Sequence, residues 1–259
     1  MKPNYLQNIR VVLVETAGAL NVGSIARIMK NMGLTRLVLV KPRCSPHEES
    51  ARTMAVHAVD ILENALIVDS LPEALTGCQR AIATTVRSRS VPITLEAPPV
   101  ALPWLLAPDV ESALIFGAED RGLSNDELKY AQRFICIQSN PEYPSLNLAQ
   151  AVAICVYELY QSWLTISNNP AQTVIPSAVV KPATSDNNAS LDVLEGYYQH
   201  LETVLLEIGY LYPHTAPVKM EKFRRLYNKA NLQPEEVAML RGILRQVRWA
   251  INNANTKDG

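Results

Sequence analysis

Short runs of apolar residues alternate with amphipathic or polar stretches along the first 164 residues. The first run is continuous and rich in β-branched residues, which is typical of a parallel strand that is buried on both faces. Five similar runs follow it. The predicted strands are Ile9–Val14, Leu37–Val40, Leu66–Val68, Ala81–Thr84, Ala113–Phe116 and Phe134–Ile137. This pattern predicts an α/β domain with a parallel sheet and helices on both faces.

Two helices of this domain stand out. Asn21 opens a helical stretch over Val22–Met32, and Gly33 can supply its left-handed C-terminal cap. The later stretch Leu146–Leu164 has apolar residues on more than one side of the helix that it predicts. One side of that helix is therefore available to a second subunit.

The composition changes after this helix. Residues 165–190 are mostly Asn, Pro, Ser, Thr and Ala, which is the composition of a linker. Three further helices are predicted at Leu191–Ile208, Val218–Ala230 and Glu235–Ile251. The chain is thus expected to consist of a first domain (1–164), a flexible linker (165–190) and a small all-α domain (191–259).

Composition narrows the class of protein. The chain has 259 residues, 48% of them hydrophobic, and a net charge of −1, which favours a globular protein over one that coats nucleic acid nonspecifically. No stretch is apolar enough to predict a signal peptide or a membrane span. The cysteines are widely spaced and lack metal-ligand spacing, so we expect a reduced, metal-free, cytoplasmic protein. They are Cys44, Cys78, Cys136 and Cys155.

The C-terminal segment departs from this neutral average. Between Lys219 and Arg248 there are eight basic residues against three glutamates. A small helical domain with a positive face fits RNA binding or substrate positioning, although surface helices also carry lysine and arginine for solubility alone.

Three blocks carry the chemical information. They are Asn21–Arg27 (NVGSIAR), Phe116–Leu123 (FGAEDRGL) and Ser145–Ala149 (SLNLA). Each is expected where a strand gives way to a loop or helix, and the carboxyl ends of parallel strands meet at one edge of a sheet. The three blocks can therefore build one cofactor site. Neither a dinucleotide fingerprint nor a phosphate loop is present.

In order and spacing, these blocks resemble the signatures of the SpoU/TrmH branch of the SPOUT superfamily of RNA 2'-O-methyltransferases. The segments Thr85–Arg89, Asn140–Tyr143 and Phe223–Leu226 are similar to its TrmJ-type subgroup, which methylates a ribose in the tRNA anticodon loop. The resemblance implies a parallel α/β sheet with a C-terminal trefoil knot. It also implies that the protein binds S-adenosylmethionine in that knot and works as a homodimer.

The same resemblance implies a set of cofactor-binding residues. They are Thr84, Thr85, Val86, Gly117, Ile137, Pro144, Ser145, Leu146 and Asn147. For Gly117, the alternative to close approach of the cofactor is a plain tight turn. Asn147 and Gln150 have the spacing of a capping box, and capping can coexist with cofactor contact.

Arg27, Asn21 and Ser145 are the candidate catalytic residues. A guanidinium stays charged at neutral pH, so we expect Arg27 to clamp a phosphate and stabilise the developing alkoxide rather than remove a proton. Asn21 and Ser145 would orient the ribose or the arginine, and Glu119 would brace the second block. The alternatives are a surface ion pair for Arg27, helix caps for Asn21 and Ser145, and a solvated carboxylate for Glu119.

The sequence therefore predicts an S-adenosylmethionine-dependent ribose 2'-O-methyltransferase whose partner is RNA, with tRNA as the expected substrate. A ribosomal RNA target is the alternative within the enzyme class. Outside that class, a catalytically silent RNA-binding protein would keep the fold without turnover. A dimerisation scaffold would bind neither cofactor nor RNA.

Overall fold

The computed structural model of the chain describes residues 5–85, 94–168 and 188–255. The chain divides into two compact units, Met1–Thr184 and Ser185–Gly259. No helix in the described ranges is both long and apolar enough to cross a membrane.

The first unit contains a seven-stranded sheet in which every pairing is parallel. The strands are β1 (Ile9–Val14), β2 (Arg36–Val40), β3 (Leu66–Val68), β4 (Arg80–Thr84), β5 (Leu95–Glu96), β6 (Ser112–Phe116) and β7 (Arg133–Ile135). All six predicted strands are present. β5 was not predicted, because two residues are too few to produce an apolar run.

Seven α-helices accompany the sheet in the described part of this unit. They are α1 (Ala19–Asn31), α2 (Glu49–Ala55), α3 (Val59–Glu63), α4 (Leu71–Ala74), α5 (Pro98–Ala101), α6 (Asn125–Leu128) and α7 (Leu148–Asn168). Short 3₁₀ helices lie at Tyr5–Asn8, Val56–Ala58 and Leu102–Leu105.

The two long helices differ from their predicted bounds. α1 begins at Ala19, two residues before Asn21, and Gly33 follows it with φ +73°, as expected of a left-handed cap. α7 continues to Asn168, so the predicted linker start at residue 165 is too early. Ser, Thr and Asn at the end of α7 have a linker-like composition, but they continue a helix that is already packed. Residues 169–187 of the predicted linker lie outside the described residues.

The centre of the sheet is covered on both faces. In β1, Val11 and Leu13 belong to a core cluster that also contains apolar residues of α1 and α7. Val12 and Val14, which point to the opposite face, are also buried. Burial of both faces explains why these strands form continuous apolar runs rather than alternating ones.

The strand order, β3-β2-β1-β6-β4-β7-β5, places a change of direction beside β1. From β1 the chain moves outward through β2 and β3, and then returns to the other side of β1. The register aligns Leu13 with Phe116, and Ala83 with Ile115. The carboxyl ends of β1, β6 and β4 therefore meet at one edge, where parallel sheets of this kind bind ligands.

The second unit contains three helices among its described residues. They are α8 (Leu191–Glu207), α9 (Ala216–Ala230) and α10 (Pro234–Asn255). Buried residues from all three form one core, including Tyr197, Met220 and Leu244. The Tyr197 ring meets Tyr227 edge-on at a centroid distance of 5.2 Å.

Candidate functional site

A cleft opens at the carboxyl ends of β4, β6 and β7. Six of the predicted cofactor residues line it: Thr84, Thr85, Gly117, Ile137, Ser145 and Leu146. The Thr84 hydroxyl donates a hydrogen bond to the Ile115 carbonyl at 3.2 Å, which ties the end of β4 to β6. Two of the three sequence blocks, the second and the third, thus contribute directly to one concave surface.

The remaining predicted residues have other positions. Val86 lies outside the described residues. Pro144 does not line the cleft, and its carbonyl accepts a hydrogen bond from the Ser139 hydroxyl at 2.9 Å. Asn147, Asn21 and Arg27 are also absent from the described lining of the cleft.

The apolar wall of the cleft was largely missed at the sequence level. It includes Phe116, Leu123, Ile135, Leu148 and Ala151. These residues look like ordinary core positions, since nothing in an apolar run marks the residue at which the strand reaches a ligand. The position of Phe116 directly before Gly117 was the one available signal.

The second block forms a tight loop after β6. Ala118 and Gly122 pair across it, and the Gly122 amide donates to the Ala118 carbonyl at 2.8 Å. A Cβ added to Gly117 would lie 2.2 Å from the carbonyl carbon of Gly122 and 2.3 Å from the Leu123 nitrogen. The loop therefore requires glycine here for its own closure, which favours the tight-turn interpretation while leaving Gly117 in the cleft wall.

Glu119 joins this loop to the β1–α1 junction. Its Oε1 accepts hydrogen bonds from the Thr16 hydroxyl (2.9 Å), the Gly18 amide (3.1 Å) and Asn21 Nδ2 (3.0 Å). Its Oε2 accepts one from the Ala17 amide at 3.0 Å. The side chain is therefore a brace between the first two blocks rather than a simply solvated carboxylate. Thr16, which is fully buried, was missed by the sequence analysis although it follows a buried strand.

Asn21 and Asn147 join the first block to the third. Asn147 Nδ2 donates to Asn21 Oδ1 at 3.0 Å, and Asn147 Oδ1 accepts from the Ala149 amide at 2.9 Å. Asn147 is thus the N-terminal cap of α7. Its backbone amide in turn donates a hydrogen bond to Gln150 Oε1 at 3.3 Å. The capping-box prediction is confirmed.

The cap alternatives for Asn21 and Ser145 are wrong. Asn21 is the third residue of α1, and its side chain bonds to Glu119 and Asn147 instead of to its own helix. Ser145 lies before the Asn147 cap and lines the cleft. Within the described parts of the chain, its hydroxyl makes no hydrogen bond, so it is available to a ligand.

Ion pairs fix the outer rim of the same loop. The Arg43 guanidinium pairs with both Asp120 oxygens, at 3.0 and 3.1 Å. Arg121 pairs with Glu127 at 2.8 Å and with Glu15 at 2.9 Å. Hydrogen bonding to Arg43 lowers the pKa of Asp120. The carboxylates of Glu127 and Glu15 raise the pKa of Arg121. The loop is therefore held on both sides before any ligand arrives.

Acidification tests the role of Glu119. Partial burial opposes ionisation of its carboxyl, but hydrogen bonds from Asn21, Ala17 and Thr16 prevail and lower its pKa below the ordinary value of 4.5. Ionised Glu119 therefore contributes stability above that ordinary value, and the contribution is lost as the pH falls through the lowered pKa. We expect Glu119→Gln to lower the free energy of unfolding at pH 7 by about 1–2 kcal/mol, because the Ala17 amide loses its acceptor.

Urea unfolding at pH 7 and at pH 3.5 checks this expectation. The difference between wild type and Glu119→Gln is expected to shrink at the lower pH. An equal difference at both pH values would contradict a stabilising carboxylate. Asp126→Asn is the matched control, because its side chain is exposed on α6 and its contact with Lys129 is a surface pair at 3.4 Å.

Arg27 lies on α1, six residues beyond Asn21. That spacing places it about 9 Å along the helix axis and turns it by roughly 120° from the face that meets Glu119 and Asn147. Its side chain is exposed, and it makes no hydrogen bond or ion pair with any residue that the structure describes. The surface ion pair considered for Arg27 is therefore wrong within these residues, and the guanidinium is available to an anion.

The titratable side chains of the described residues do not cluster as the ligands of a metal centre do. Among the described residues, no group of three or more His, Cys, Asp or Glu side chains could hold a metal ion. None of the four cysteines forms a disulfide in the described parts of the chain, and Cys78 and Cys155 are buried. What the cleft offers a ligand is an apolar wall, the Thr84 and Ser145 hydroxyls and exposed loop backbone.

Comparison with known proteins gives matches along nearly the whole chain. The model of the SpoU rRNA Methylase family matches residues 8–157, and that of the tRNA methyltransferase TrmJ C-terminal domain matches residues 192–258. The chain is 42% identical over 249 residues to a tRNA (cytidine/uridine-2'-O-)-methyltransferase TrmJ of Cronobacter sakazakii, covering 95% of this chain and 98% of that protein.

Two further similarities agree with these matches. A tRNA (cytidine/uridine/adenosine-2'-O-)-methyltransferase TrmJ of Pseudomonas aeruginosa is 41% identical over 247 residues, which cover 94% of this chain and 95% of the relative. The crystal structure of TrmJ from Z. mobilis ZM4 superposes with a TM-score of 0.76 at 31% identity, covering 92% of this chain and 98% of that one.

Proposed function

The chain belongs to the SpoU methylase family, and on that premise we propose that it transfers a methyl group from S-adenosylmethionine to a ribose 2'-hydroxyl of tRNA. The observation that carries the proposal is that Glu119, Asn21 and Asn147 join the first signature block to the second and third, which line one cleft. The names of the relatives favour cytidine and uridine as target nucleotides. We place the target in the anticodon loop, as the resemblance implies.

The cleft fits the proposed cofactor. Ile137, Leu146 and Leu123 offer apolar contacts to an adenine ring, and the Ser145 hydroxyl offers a polar contact. When bound, S-adenosylmethionine supplies an activated methyl group on a positively charged sulfur. The protein then needs only to orient the ribose oxygen and exclude water, so positioning is the main catalytic contribution.

Arg27 acts on the RNA in this scheme. Its guanidinium stays protonated, holds a phosphate next to the target ribose and stabilises negative charge that develops on the 2'-oxygen. The proton leaves to a phosphate oxygen or to water. Ser145 helps to orient the ribose or cofactor, whereas Asn21 acts through Glu119 and Asn147 and is a positioning residue.

A homodimer brings Arg27 to a cleft. Arg27 is turned away from the face of α1 that meets the cleft loops of its own chain, and it is exposed. Leu20 on the same helix, and Ile154 and Tyr157 on α7, are also exposed and apolar in character. A second copy packed on this surface would cover these side chains and receive Arg27 at its own site.

Three finer features complete the proposal. We propose that the segment around β7 and α7 forms a trefoil knot and that the chain consists of a catalytic domain ending near Asn168, a linker and an all-α domain starting near residue 191. Four cysteines that form no disulfide in the described residues, together with a tRNA substrate, support the cytoplasm as the compartment.

Methyl transfer is tested directly with unmodified tRNA and labelled cofactor. We expect labelled tRNA whose digestion gives a 2'-O-methylated cytidine or uridine, identified by mass spectrometry and mapped to the anticodon loop. A substrate with a 2'-deoxy nucleotide at the mapped position is the control and is expected to accept no label. Label on ribosomal RNA alone would transfer the activity to that substrate. No label on either RNA, together with no binding of S-adenosylhomocysteine, would contradict the proposal.

A further inference from the structure

The loop that leads from β7 to α7 is closed by its own hydrogen bonds. The Tyr143 amide donates to the Asn140 carbonyl at 3.0 Å, and the Glu142 amide donates to Asn140 Oδ1 at 3.0 Å. The Ser139 hydroxyl donates to the Pro144 carbonyl at 2.9 Å and joins the two ends of the loop. We call residues 139–144 the tyrosine loop. Its backbone is held in place without any help from the tyrosine ring.

The Tyr143 side chain projects from this loop into solvent. It is 80% exposed, which is more than any other large hydrophobic side chain in the described ranges. Its hydroxyl makes no hydrogen bond with the residues that the structure describes. A tyrosine on an ordered loop offers a large contact area at a low cost in conformational entropy. Single exposed apolar residues are nevertheless ordinary on protein surfaces, so the position of this ring decides what it is for.

The ring stands at the mouth of the cleft. Ser145 and Leu146 follow Tyr143 closely along the chain and line the cleft, whereas Tyr143 does not. Two residues span at most about 7 Å, so the Tyr143 backbone lies within that distance of the Ser145 backbone. A nucleotide that presents its 2'-oxygen at the cleft therefore carries its base close to this ring.

An unpaired base is the ligand that fits the ring best. Bases that are splayed out of an RNA loop stack on aromatic side chains, and every base has a π-face that can do so. The tyrosine loop has one charged side chain, Glu142, whose negative charge disfavours a phosphate contact. The loop is therefore suited to the base of a nucleotide and not to its backbone.

We propose that Tyr143 stacks on the base of the nucleotide whose ribose is methylated and thereby holds the 2'-oxygen at the cleft. The identity of that nucleotide rests on the proposed function, whereas the exposure and position of the ring do not. Contact through the π-face orients the ribose without reading which base is attached to it.

Steady-state methylation by the full-length protein tests this inference. We expect Tyr143→Ala to lower kcat/KM for unmodified tRNA by about 10- to 100-fold, which is the usual effect of removing one stacking ring. Tyr143→Phe keeps the ring, so its kcat/KM is expected to stay within about twofold of wild type. Binding of S-adenosylhomocysteine and the free energy of unfolding are expected to be unchanged in both variants, because the ring is exposed and lies outside the cleft lining.

Glu142→Ala is the matched control, because it shortens the neighbouring exposed side chain of the same loop and leaves the ring in place. The Glu142 side chain makes no hydrogen bond or ion pair with residues in the described part of the chain. Its kcat/KM is expected to stay within about twofold of wild type. An equal loss in this control and in Tyr143→Ala would assign the effect to the loop and overturn the role of the ring.

An abasic substrate identifies the base that the ring contacts. A tRNA that lacks only the base of the target nucleotide keeps the ribose and its 2'-hydroxyl. Wild-type protein is expected to lose at least as much kcat/KM on this substrate as Tyr143→Ala loses on intact tRNA. On the abasic tRNA, Tyr143→Ala is expected to be no worse than wild type, because both changes remove the same contact. Additive losses would overturn the assignment to the target base.

Two further outcomes would overturn the inference. They are a normal kcat/KM of Tyr143→Ala, and a change of its oligomeric mass, which would make the ring part of a protein interface. Failure of the proposed function looks different, because wild-type protein would then transfer no methyl group to tRNA. Fluorescence of 2-aminopurine placed in the anticodon loop separates the two failures. Quenching by an inactive wild-type protein but not by Tyr143→Ala would retain the stacking contact and reject the enzyme.

Discussion

Replacement of Arg27 by alanine is expected to lower turnover on tRNA by two to three orders of magnitude, which is about the effect of removing one group that stabilises developing charge. Stability is expected to stay unchanged, because the side chain is exposed and has no partner among the described residues. Single-turnover methylation and thermal unfolding measure the two quantities. A large loss of stability with normal turnover of the folded fraction would contradict the proposed role.

Two companion variants refine this test. Arg27→Lys keeps the charge but loses the planar fork, so a turnover near that of wild type would argue against a bidentate phosphate clamp. Lys30→Ala removes a neighbouring positive charge from α1, where Lys30 pairs with Asp60 at 2.7 Å. Turnover of this control is expected to stay normal, which would separate the effect of Arg27 from a general change of charge.

If the proposed homodimer forms, mixed dimers will show whether Arg27 acts at the cleft of its own chain or at that of a partner. Leu146→Trp is expected to fill the cleft and abolish activity without touching Arg27. If Arg27 acts across the dimer, mixing this variant with Arg27→Ala restores one intact site per heterodimer, about a quarter of wild-type activity after random exchange. If Arg27 acts at the cleft of its own chain, no dimer in the mixture has an active site, because neither variant carries both Arg27 and an open cleft. The absence of any restoration therefore favours the cis arrangement.

Gly117→Ala is expected to destabilise the protein by about 3 kcal/mol and to weaken cofactor binding by more than tenfold, because the new methyl group meets backbone rather than a flexible side chain. The loop would have to open at the Ala118–Gly122 pair, which forms part of the cleft wall. Chemical denaturation and calorimetry with S-adenosylhomocysteine measure the two losses.

Gly122→Ala is the matched control in the same loop. Gly122 has φ +68°, but a Cβ there would meet nothing within 4 Å. We therefore expect Gly122→Ala to lower the free energy of unfolding by roughly 1–2 kcal/mol, through backbone strain alone. Equal losses of stability and cofactor affinity for the two substitutions would contradict the view that the loop depends on the close backbone contact at Gly117.

The strands were predictable from sequence because burial on both faces leaves a continuous apolar run, as in β1 and β6. β5 has only two residues and pairs with β7 alone, so its position depends on the sheet and not on its own sequence. The end of α7 was placed too early for a related reason. Ser167 and Asn168 carry no helical signal, and packing of the preceding turns extends the helix through them.

Several polar and glycine positions of the site were predictable from the sequence, whereas its apolar wall and the hydrogen bonds between its blocks were not. Sequence blocks identified Gly117, Ser145 and Leu146, which all reach the cleft. Spacing along the chain could not show that Asn21 and Asn147 contact each other across 126 residues, nor that Glu119 receives four hydrogen bonds. Those contacts depend on the register of β1 against β6, which only the folded sheet provides.

The side-chain amide of Asn21 makes a donor bond on one side and an acceptor bond on the other, so only one orientation of the amide fits the site. Its nitrogen donates toward Glu119 while its oxygen accepts from Asn147, both at 3.0 Å. Aspartate has the same length but no donor, and it would set a second negative charge beside Glu119; leucine would offer neither group. Among the standard side chains of this length, only asparagine carries both a hydrogen-bond donor (Nδ2) and a carbonyl acceptor (Oδ1) on the same planar group. A chemist who wished to redesign this enzyme for another RNA would have to leave this amide and its orientation in place.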